Sequence, residues 1–202
     1  MEKYNVVKWF DRHTSRSDIN CYLTHLTKPN GELDSLNVLL KILKERTLIG
    51  SDHKGFISGE HSAVCFQDAP LYGIGQNILH EQKIRQENKS KIRYVAVGLM
   101  FSKPYIFNRG GRPVIYGTKE ENERLFKNEK WRTVTLDFKE KDNIIDWSHE
   151  REWRIKGNLE FKLNEVFVVV PNSQSYKYFI DNAGEEILKE IRGIVTLEPV
   201  LT

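Results

Sequence analysis

Hydrophobic and polar positions in this chain follow the two-residue period of β-strands in most segments. An apolar residue at every second position, or a short apolar run between turn residues, predicts a strand. By this criterion we predict strands at these segments: Asn20 to Leu26, Ala63 to Phe66, Arg93 to Phe101, Val114 to Tyr116, Arg132 to Phe138, Glu152 to Lys156, Glu165 to Val170 and Ile194 to Leu197.

A smaller number of segments follow helical spacing. Leucines three and four positions apart predict a helix that Asp34 caps, and Pro70 suits the first turn of a helix running to about Glu87. We predict further helices from Thr118 to Phe126 and from Gln174 to Glu190. Helices early in the chain, strands late and no regular βαβ alternation favour an α+β fold, with split or mixed β-sheets and flanking helices.

Length and composition limit what the chain can be. A chain of 202 residues buries roughly 70% of its unfolded surface when it folds as one unit, so we expect a single domain over residues 1–202. The 39% hydrophobic and 29% charged residues are typical of a soluble protein, and no apolar run reaches the length of a membrane span. The first residues have no signal-peptide pattern. We therefore expect a cytoplasmic protein in which Cys21 and Cys65 are buried, reduced thiols.

The charge balance leaves the partner open. A net charge of +3 and an isoelectric point near 8.7 permit a polyanionic partner without requiring one. Lys and Arg form modest clusters within residues 83–93, 109–112 and 127–132. We interpret these clusters as solvated faces in preference to binding patches.

The segment from Ile145 to Lys156 has the pattern of a strand but carries two acids and two bases between tryptophans. Alternate side chains of a strand share a face, so we expect Glu150, Glu152 and Arg154 together, with the apolar residues between them burying the other face. Two carboxylates about 7 Å apart raise each other's pKa unless a cation compensates. Such a pair is often functional, although mixed charges also protect exposed strand edges from aggregation.

Other kinds of site have weaker support. His149-Glu150 lacks a second histidine four residues on, and the cysteines lack ligand spacing, so we expect no metal site. The glycine-containing segments lack the lysine-serine pair or the third glycine of a phosphate loop. A nuclease of the restriction-endonuclease type remains an alternative, although Lys156 stands four residues beyond Glu152, where such enzymes place lysine two residues after the acid.

The chain has three separated motifs: Tyr22-Leu23-Thr24-His25, Gly110-Gly111-Arg112-Pro113-Val114-Ile115-Tyr116 and Glu150-Arg151-Glu152-Trp153-Arg154. They resemble the ADP-ribosyltransferase superfamily, in which an early strand supplies His or Arg, a middle strand Tyr or Ser, and a late strand Glu. The order resembles that of DarT-like toxins and of uncharacterised relatives linked with abortive phage infection. The stretch from Val64 to Tyr72 is similar to the aromatic strand of DarT-like enzymes that leads into proline-x-leucine-tyrosine.

The resemblance implies two catalytic carboxylates. Cleavage of the nicotinamide-ribose bond of NAD develops positive charge on the ribose, and Glu152 would stabilise that charge. Glu150 would orient or deprotonate the acceptor nucleophile. The pair also resembles the Glu-x-Glu of arginine-modifying transferases, and the loop from Gly50 to Ser62 is short for a DarT-like enzyme. These departures leave the acceptor open.

The resemblance also implies cofactor contacts. His25 would hydrogen-bond the ribose, and Tyr116 would stack against the nicotinamide or wall the pocket. Arg109 or Arg112 would meet the pyrophosphate, and Tyr72 would lie near the pocket. Taken singly, His25 is equally explained as a histidine at the edge of the core, and the two tyrosines as packed aromatics.

These expectations describe an enzyme that uses NAD as a substrate and needs no metal. It would transfer ADP-ribose to nucleic acid or, as a second choice, to protein, and would act as a toxin or anti-phage defence effector with no membrane partner. An antitoxin or immunity protein is the expected regulatory partner. The alternatives are an NAD glycohydrolase that uses the same pocket, and a catalytically silent immunity or antitoxin module that keeps the fold.

Overall fold

The computed structural model describes residues 4–52, 57–88 and 94–201. It has a mixed α+β architecture with a mostly antiparallel central sheet flanked by helices, which confirms the predicted fold class at this level. The seven strands of the central sheet are β1 (Tyr22–Leu26), β3 (Ala63–Gln67), β4 (Gly98–Ser102), β5 (Arg112–Pro113), β8 (Glu152–Lys156), β10 (Val166–Val170) and β11 (Gly193–Thr196).

The strand order in the central sheet is β11-β10-β4-β1-β3-β8-β5. β10 and β11 pair in parallel, and the other neighbours pair antiparallel. Two small sheets lie beside it, and their strands are β2 (Thr47–Leu48) with β9 (Leu159–Glu160), and β6 (Ile115–Gly117) with β7 (Thr133–Thr135).

Helices and three short 3₁₀ turns connect the strands. Asp34 and Thr118 cap their helices through side-chain hydrogen bonds, as predicted. The helices are α1 (Val6–Thr14), α2 (Ser35–Glu45), α3 (Leu71–Asn88), α4 (Lys103–Asn108), α5 (Lys119–Glu123), α6 (Ser173–Ala183), α7 (Glu185–Glu190) and α8 (Glu198–Leu201). The 3₁₀ turns are Lys127–Arg132, Ser148–Glu150 and Leu163–Glu165.

Several predicted boundaries are wrong. The single helix predicted from Gln174 to Glu190 is divided at Gly184, whose φ of 81° lies outside the helical region. The strand predicted from Arg132 to Phe138 shortens to β7 at both ends, because a 3₁₀ turn includes Arg132 and, beyond Thr135, only an isolated bridge joins Asp137 to Ile145. The sequence pattern did not predict α1 or α4. The strand predicted from Arg93 to Phe101 begins later: Arg93 lies outside the described residues, residues 94–97 are not in a strand, and β4 begins at Gly98.

Alternate residues of the neighbouring strands β4 and β10 enter separate cores on opposite faces of the sheet. Leu99, Phe101 and Val168 join a large core to which α2 and α6 contribute. Met100 and Val169 join a second core to which α3 contributes. Because both faces of the sheet are packed, its strands form a rigid scaffold for the side chains that they carry.

Gly98 allows β1 to approach β4 closely. A Cβ atom at this position would lie 2.1 Å from the carbonyl oxygen of His25, and backbone on a paired strand cannot move aside cheaply. We expect Gly98→Ala to lower the free energy of unfolding by at least the roughly 1–3 kcal/mol that overpacking costs. Urea denaturation measures the change.

Gly73→Ala is the matched control, because the nearest heavy atom to a Cβ there, in α3, lies 3.9 Å away. Alanine in a helix is favoured over glycine by about 1 kcal/mol, so this variant should be as stable as the wild type or more stable. Equal stability of Gly98→Ala and the wild type would contradict the close packing of β1 on β4.

Candidate active site at the opening of the sheet

The central sheet is open between β1 and β3. These strands are in register at Thr24 and Gln67, and the described residues show no further paired position between them. On either side the pairing is continuous, β1 with β4 and β3 with β8. The side chain of His25 spans the opening, with its Nδ1 2.8 Å from the carbonyl oxygen of Cys65. A side chain therefore occupies a place where a backbone hydrogen bond would otherwise join the strands.

A cleft of about 1560 Å³ lies at this opening. The volume exceeds the roughly 300–1,000 Å³ that is usual for a small-molecule site, so it can admit a large ligand. We call it the central cleft, and its lining includes His25, Tyr94, Trp147, Glu150, Glu152 and Arg154.

The hydrogen bond to Cys65 defines the state of His25. A carbonyl oxygen can only accept, so Nδ1 carries the proton and Nε2 is left as an acceptor in the neutral ring. Burial lowers the pKa of His25, which keeps the imidazole neutral at pH 7. A neutral histidine with an acceptor nitrogen suits a ligand hydroxyl.

Glu152 is buried at the start of β8, with 7% of its surface exposed. Its carboxylate is held in bidentate fashion by Arg154, with Nε to Oε1 at 2.7 Å and Nη2 to Oε2 at 3.0 Å. The predicted compensation by Arg154 is therefore present as a direct, buried ion pair. The result is a carboxylate with little freedom to rotate.

Glu150 does not lie on the strand, so the expectation that it shares a strand face with Glu152 is wrong. It ends the 3₁₀ turn Ser148–Glu150, and Arg151 after it has a φ of 47° in the left-handed region. The backbone of this turn is tied to the end of β3, where the amide of Asp68 donates to the carbonyl of Glu150 at 3.2 Å. Both glutamates nevertheless line the central cleft.

The carboxyl group of Glu150 has a raised pKa. Burial, reinforced by the negative charge of Glu152 and opposed by Arg154, raises the pKa of Glu150 to about 7. The hydroxyl of Tyr94 donates a hydrogen bond to its Oε1. A group that titrates near neutral pH, half-buried in a cleft, can serve as a general base there.

The hydroxyl of Tyr116 hydrogen-bonds the backbone on both sides of the turn that carries Glu150. Its hydroxyl accepts from the amide of Glu152 at 3.0 Å and donates to the carbonyl of Trp147 at 3.3 Å. Burial raises the pKa of Tyr116, so the hydroxyl keeps its proton. Tyr116 is not among the described residues that line the central cleft. The geometry accounts for it as a support of Glu152, and its contact with nicotinamide stays a prediction.

The other three predicted cofactor residues lie elsewhere. Arg109 donates to the carbonyl of Glu160, and Arg112 donates to the carbonyls of Phe107 and Gly111. Tyr72 is 60% exposed on α3. None of the three is in the described lining of the central cleft, and their contacts with the cofactor stay predictions. Lys28 and Arg151 are cations that do line it.

Tyr94 and Trp147 also line the central cleft and were not predicted as site residues. Tyr94 lies within the predicted strand from Arg93 to Phe101, ahead of the observed β4, and has no motif around it, so only its contact with Glu150 identifies it. The ring of Trp147 lies 6.0 Å from that of His149, centroid to centroid, and both residues line the central cleft together with the two glutamates. Across the described part of the chain, no group of three or more His, Cys, Asp or Glu residues is arranged to hold a metal ion.

Comparisons with protein-family models, curated proteins and solved structures found no match to this chain. Among the described helices, none is both long enough and apolar enough to cross a membrane. The function must therefore be inferred from the residues of the central cleft and from the motifs that supply them.

Proposed function

We propose that this protein is an NAD-dependent ADP-ribosyltransferase, with a fold of that superfamily, which transfers ADP-ribose to a macromolecule. The observation that carries the proposal is that His25 and Glu152, far apart in sequence, line one cleft at the opening of the sheet, with Glu150 beside them. Nucleic acid is the favoured acceptor and protein the second. The motif resemblance supports a cytoplasmic toxin or anti-phage defence effector, controlled by an antitoxin or immunity partner.

His25 and Glu152 fit the donor half of the reaction. The bond between nicotinamide and ribose breaks with its electron pair leaving on neutral nicotinamide, and positive charge builds on the ribose. The carboxylate of Glu152 faces this charge and can accept from a ribose hydroxyl through lone pairs that Arg154 leaves unused. The Nε2 acceptor of neutral His25 can bind a second ribose hydroxyl.

Glu150 fits the acceptor half. The acceptor's nucleophilic atom forms a bond to the ribose carbon as nicotinamide leaves, and its proton passes to the Glu150 carboxylate. The pKa of about 7 means that a large part of the protein carries Glu150 as a base at neutral pH. The same group can deprotonate water, so NAD glycohydrolase activity is the second candidate.

Labelled NAD distinguishes these functions. NAD carrying ³²P in its adenylate phosphate is incubated with the protein, with and without cell lysate, and the products are treated separately with nuclease and with protease. Label on a nuclease-sensitive product supports transfer to nucleic acid, and label on a protease-sensitive product supports transfer to protein. Free ADP-ribose alone supports hydrolysis. Intact NAD under every condition would overturn the proposal and favour a catalytically silent binding module.

His25→Ala should weaken NAD binding by roughly 1–3 kcal/mol, or about 5- to 150-fold in Kd, because a buried hydrogen-bond partner of the ribose is lost. Isothermal titration calorimetry measures the affinity, and thermal melting reports the fold. His13→Ala is the control, since His13 bonds to Trp9 within its own helix and is absent from the described lining of the cleft. Unchanged affinity in folded His25→Ala would remove His25 from the site.

A further inference from the structure

Arg154 is one of the most fully engaged side chains around the central cleft. It is 2% exposed, and its fork donates to both carboxylate oxygens of Glu152. Its remaining nitrogen, Nη1, donates to the carbonyl of Trp131 at 2.8 Å and to that of Thr133 at 3.1 Å. The guanidinium is thus tied at one end to the backbone and at the other to Glu152.

The backbone carbonyls that accept from Arg154 are themselves held in place. Trp131 is 6% exposed and packs with Ile57 and Ala63 in a small core. Thr133 begins β7, and its side chain donates to the carbonyl of Lys130 at 2.9 Å. The carbonyl acceptors of Arg154 therefore belong to a packed segment, which limits movement of the guanidinium and, through it, of the carboxylate.

Stability alone gives a weak reason for such a pair. Removing two charges from water is costly, and well-packed apolar residues of similar size are often as stabilising as a buried ion pair. The pair does fix the orientation of the Glu152 carboxylate, because the planar fork of arginine holds a carboxylate in one plane and lysine cannot. Direction matters where the carboxylate faces a cleft, as Glu152 does.

We propose that Arg154 is a positioning residue, which holds the Glu152 carboxylate in a single orientation toward the ribose during cleavage of NAD. This inference rests on the proposed function. Arg154 also lines the central cleft, but its Nε and Nη2 donate to Glu152 and its Nη1 donates to backbone carbonyls, so it acts through Glu152 and not by binding the substrate itself. Catalysis then depends on the geometry of the fork and not on the presence of a positive charge alone.

A four-protein comparison tests the inference: wild type, Arg154→Lys, Glu152→Gln and the double variant. Arg154→Lys keeps the charge but loses the fork, and we expect kcat for NAD cleavage to fall by about 10- to 100-fold, the size of effect that small misplacement of a catalytic group produces. KM should change much less. In the Glu152→Gln background the same change should cost less than about threefold, because no carboxylate remains to be oriented.

Arg132→Lys is the matched control. The Nε of Arg132 donates to Glu129 Oε2 at 2.6 Å, and Arg132 is absent from the described lining of the cleft. The substitution therefore changes another paired arginine to lysine and should leave kcat unchanged. Thermal melting of every variant identifies losses due to unfolding. If Arg154→Lys melts below the assay temperature, all four proteins are assayed at a lower temperature at which this variant is folded.

The outcomes separate this inference from the proposed function. If the wild type cleaves NAD, and Arg154→Lys lowers kcat only when Glu152 is present, the positioning role is supported. If the wild type cleaves NAD, and Arg154→Lys lowers kcat by the same factor with Glu152 present and in the Glu152→Gln background, the positioning role is overturned and the proposed function stands. No cleavage by a folded wild type overturns both.

Discussion

Glu152→Gln is expected to lower the rate of NAD turnover by about 10²- to 10⁴-fold, the effect of neutralising a charged group that stabilises a transition state. Glutamine keeps the shape of the side chain but removes the negative charge that faces the developing ribose cation. Nicotinamide release from NAD, followed by chromatography, measures turnover. Because the loss is one of transition-state stabilisation, kcat should fall far more than affinity for NAD.

Glu152→Gln should also lower the free energy of unfolding. Glutamine leaves the buried Arg154 without a counter-charge, and breaking such a pair typically costs about 3–5 kcal/mol, although the carbonyls of Trp131 and Thr133 still accept from the guanidinium. The assay therefore belongs well below the measured melting temperature. Glu129→Gln, which breaks the more exposed pair with Arg132, is the control and should retain turnover. Normal turnover by folded Glu152→Gln would remove Glu152 from the mechanism.

Transfer to the acceptor should depend on pH through Glu150. The base is the carboxylate, so activity should rise as pH increases through about 7, where Glu150 loses its proton, and level off above pH 8. Glu150→Gln should lose this rise, and it should depress transfer to a macromolecule more than it depresses cleavage of NAD. The comparison measures the rates of ADP-ribose transfer and of nicotinamide release in parallel, over a pH range that extends about 1.5 units to either side of the Glu150 pKa.

Tyr94→Phe is an informative companion to Glu150→Gln. The Tyr94 hydroxyl donates to the Glu150 carboxylate and favours its charged form, so its removal should move the midpoint of the profile to higher pH. If Glu150→Gln lowers transfer and cleavage equally, and keeps the wild-type pH profile, Glu150 is not the acceptor's base.

Much of the scaffold follows from local sequence patterns. Predicted strands at Ala63 to Phe66 and Glu165 to Val170 agree with β3 and β10 to within one residue at each end, because buried strands have short apolar runs with clear boundaries. The helix led by Pro70 agrees with α3. Boundaries that depend on one backbone angle, such as the break at Gly184, were missed because a glycine in a helical pattern is also tolerated within a helix.

The site was predictable only in part. Arg151 adopts a positive φ that arginine rarely adopts, so no local pattern could remove Glu150 from the strand. The contacts of Arg109 and Arg112 with nearby carbonyls are equally invisible in sequence, where an arginine beside glycines resembles an anion-binding residue. The approach of His25 and Glu152 to one cleft depends on strand order, which is a non-local property. Motif resemblance, not periodicity, led to that pair.

The most direct test of the central claim is a crystal structure of Glu152→Gln soaked briefly with millimolar NAD, since this variant should bind NAD and turn it over at least about 100-fold more slowly than the wild type. We predict NAD in the central cleft, with the nicotinamide ribose between His25 and the side chain at position 152 and a ribose hydroxyl bound to His25 Nε2. NAD bound at another surface, or a cleft without NAD in crystals of the folded variant, would contradict the account.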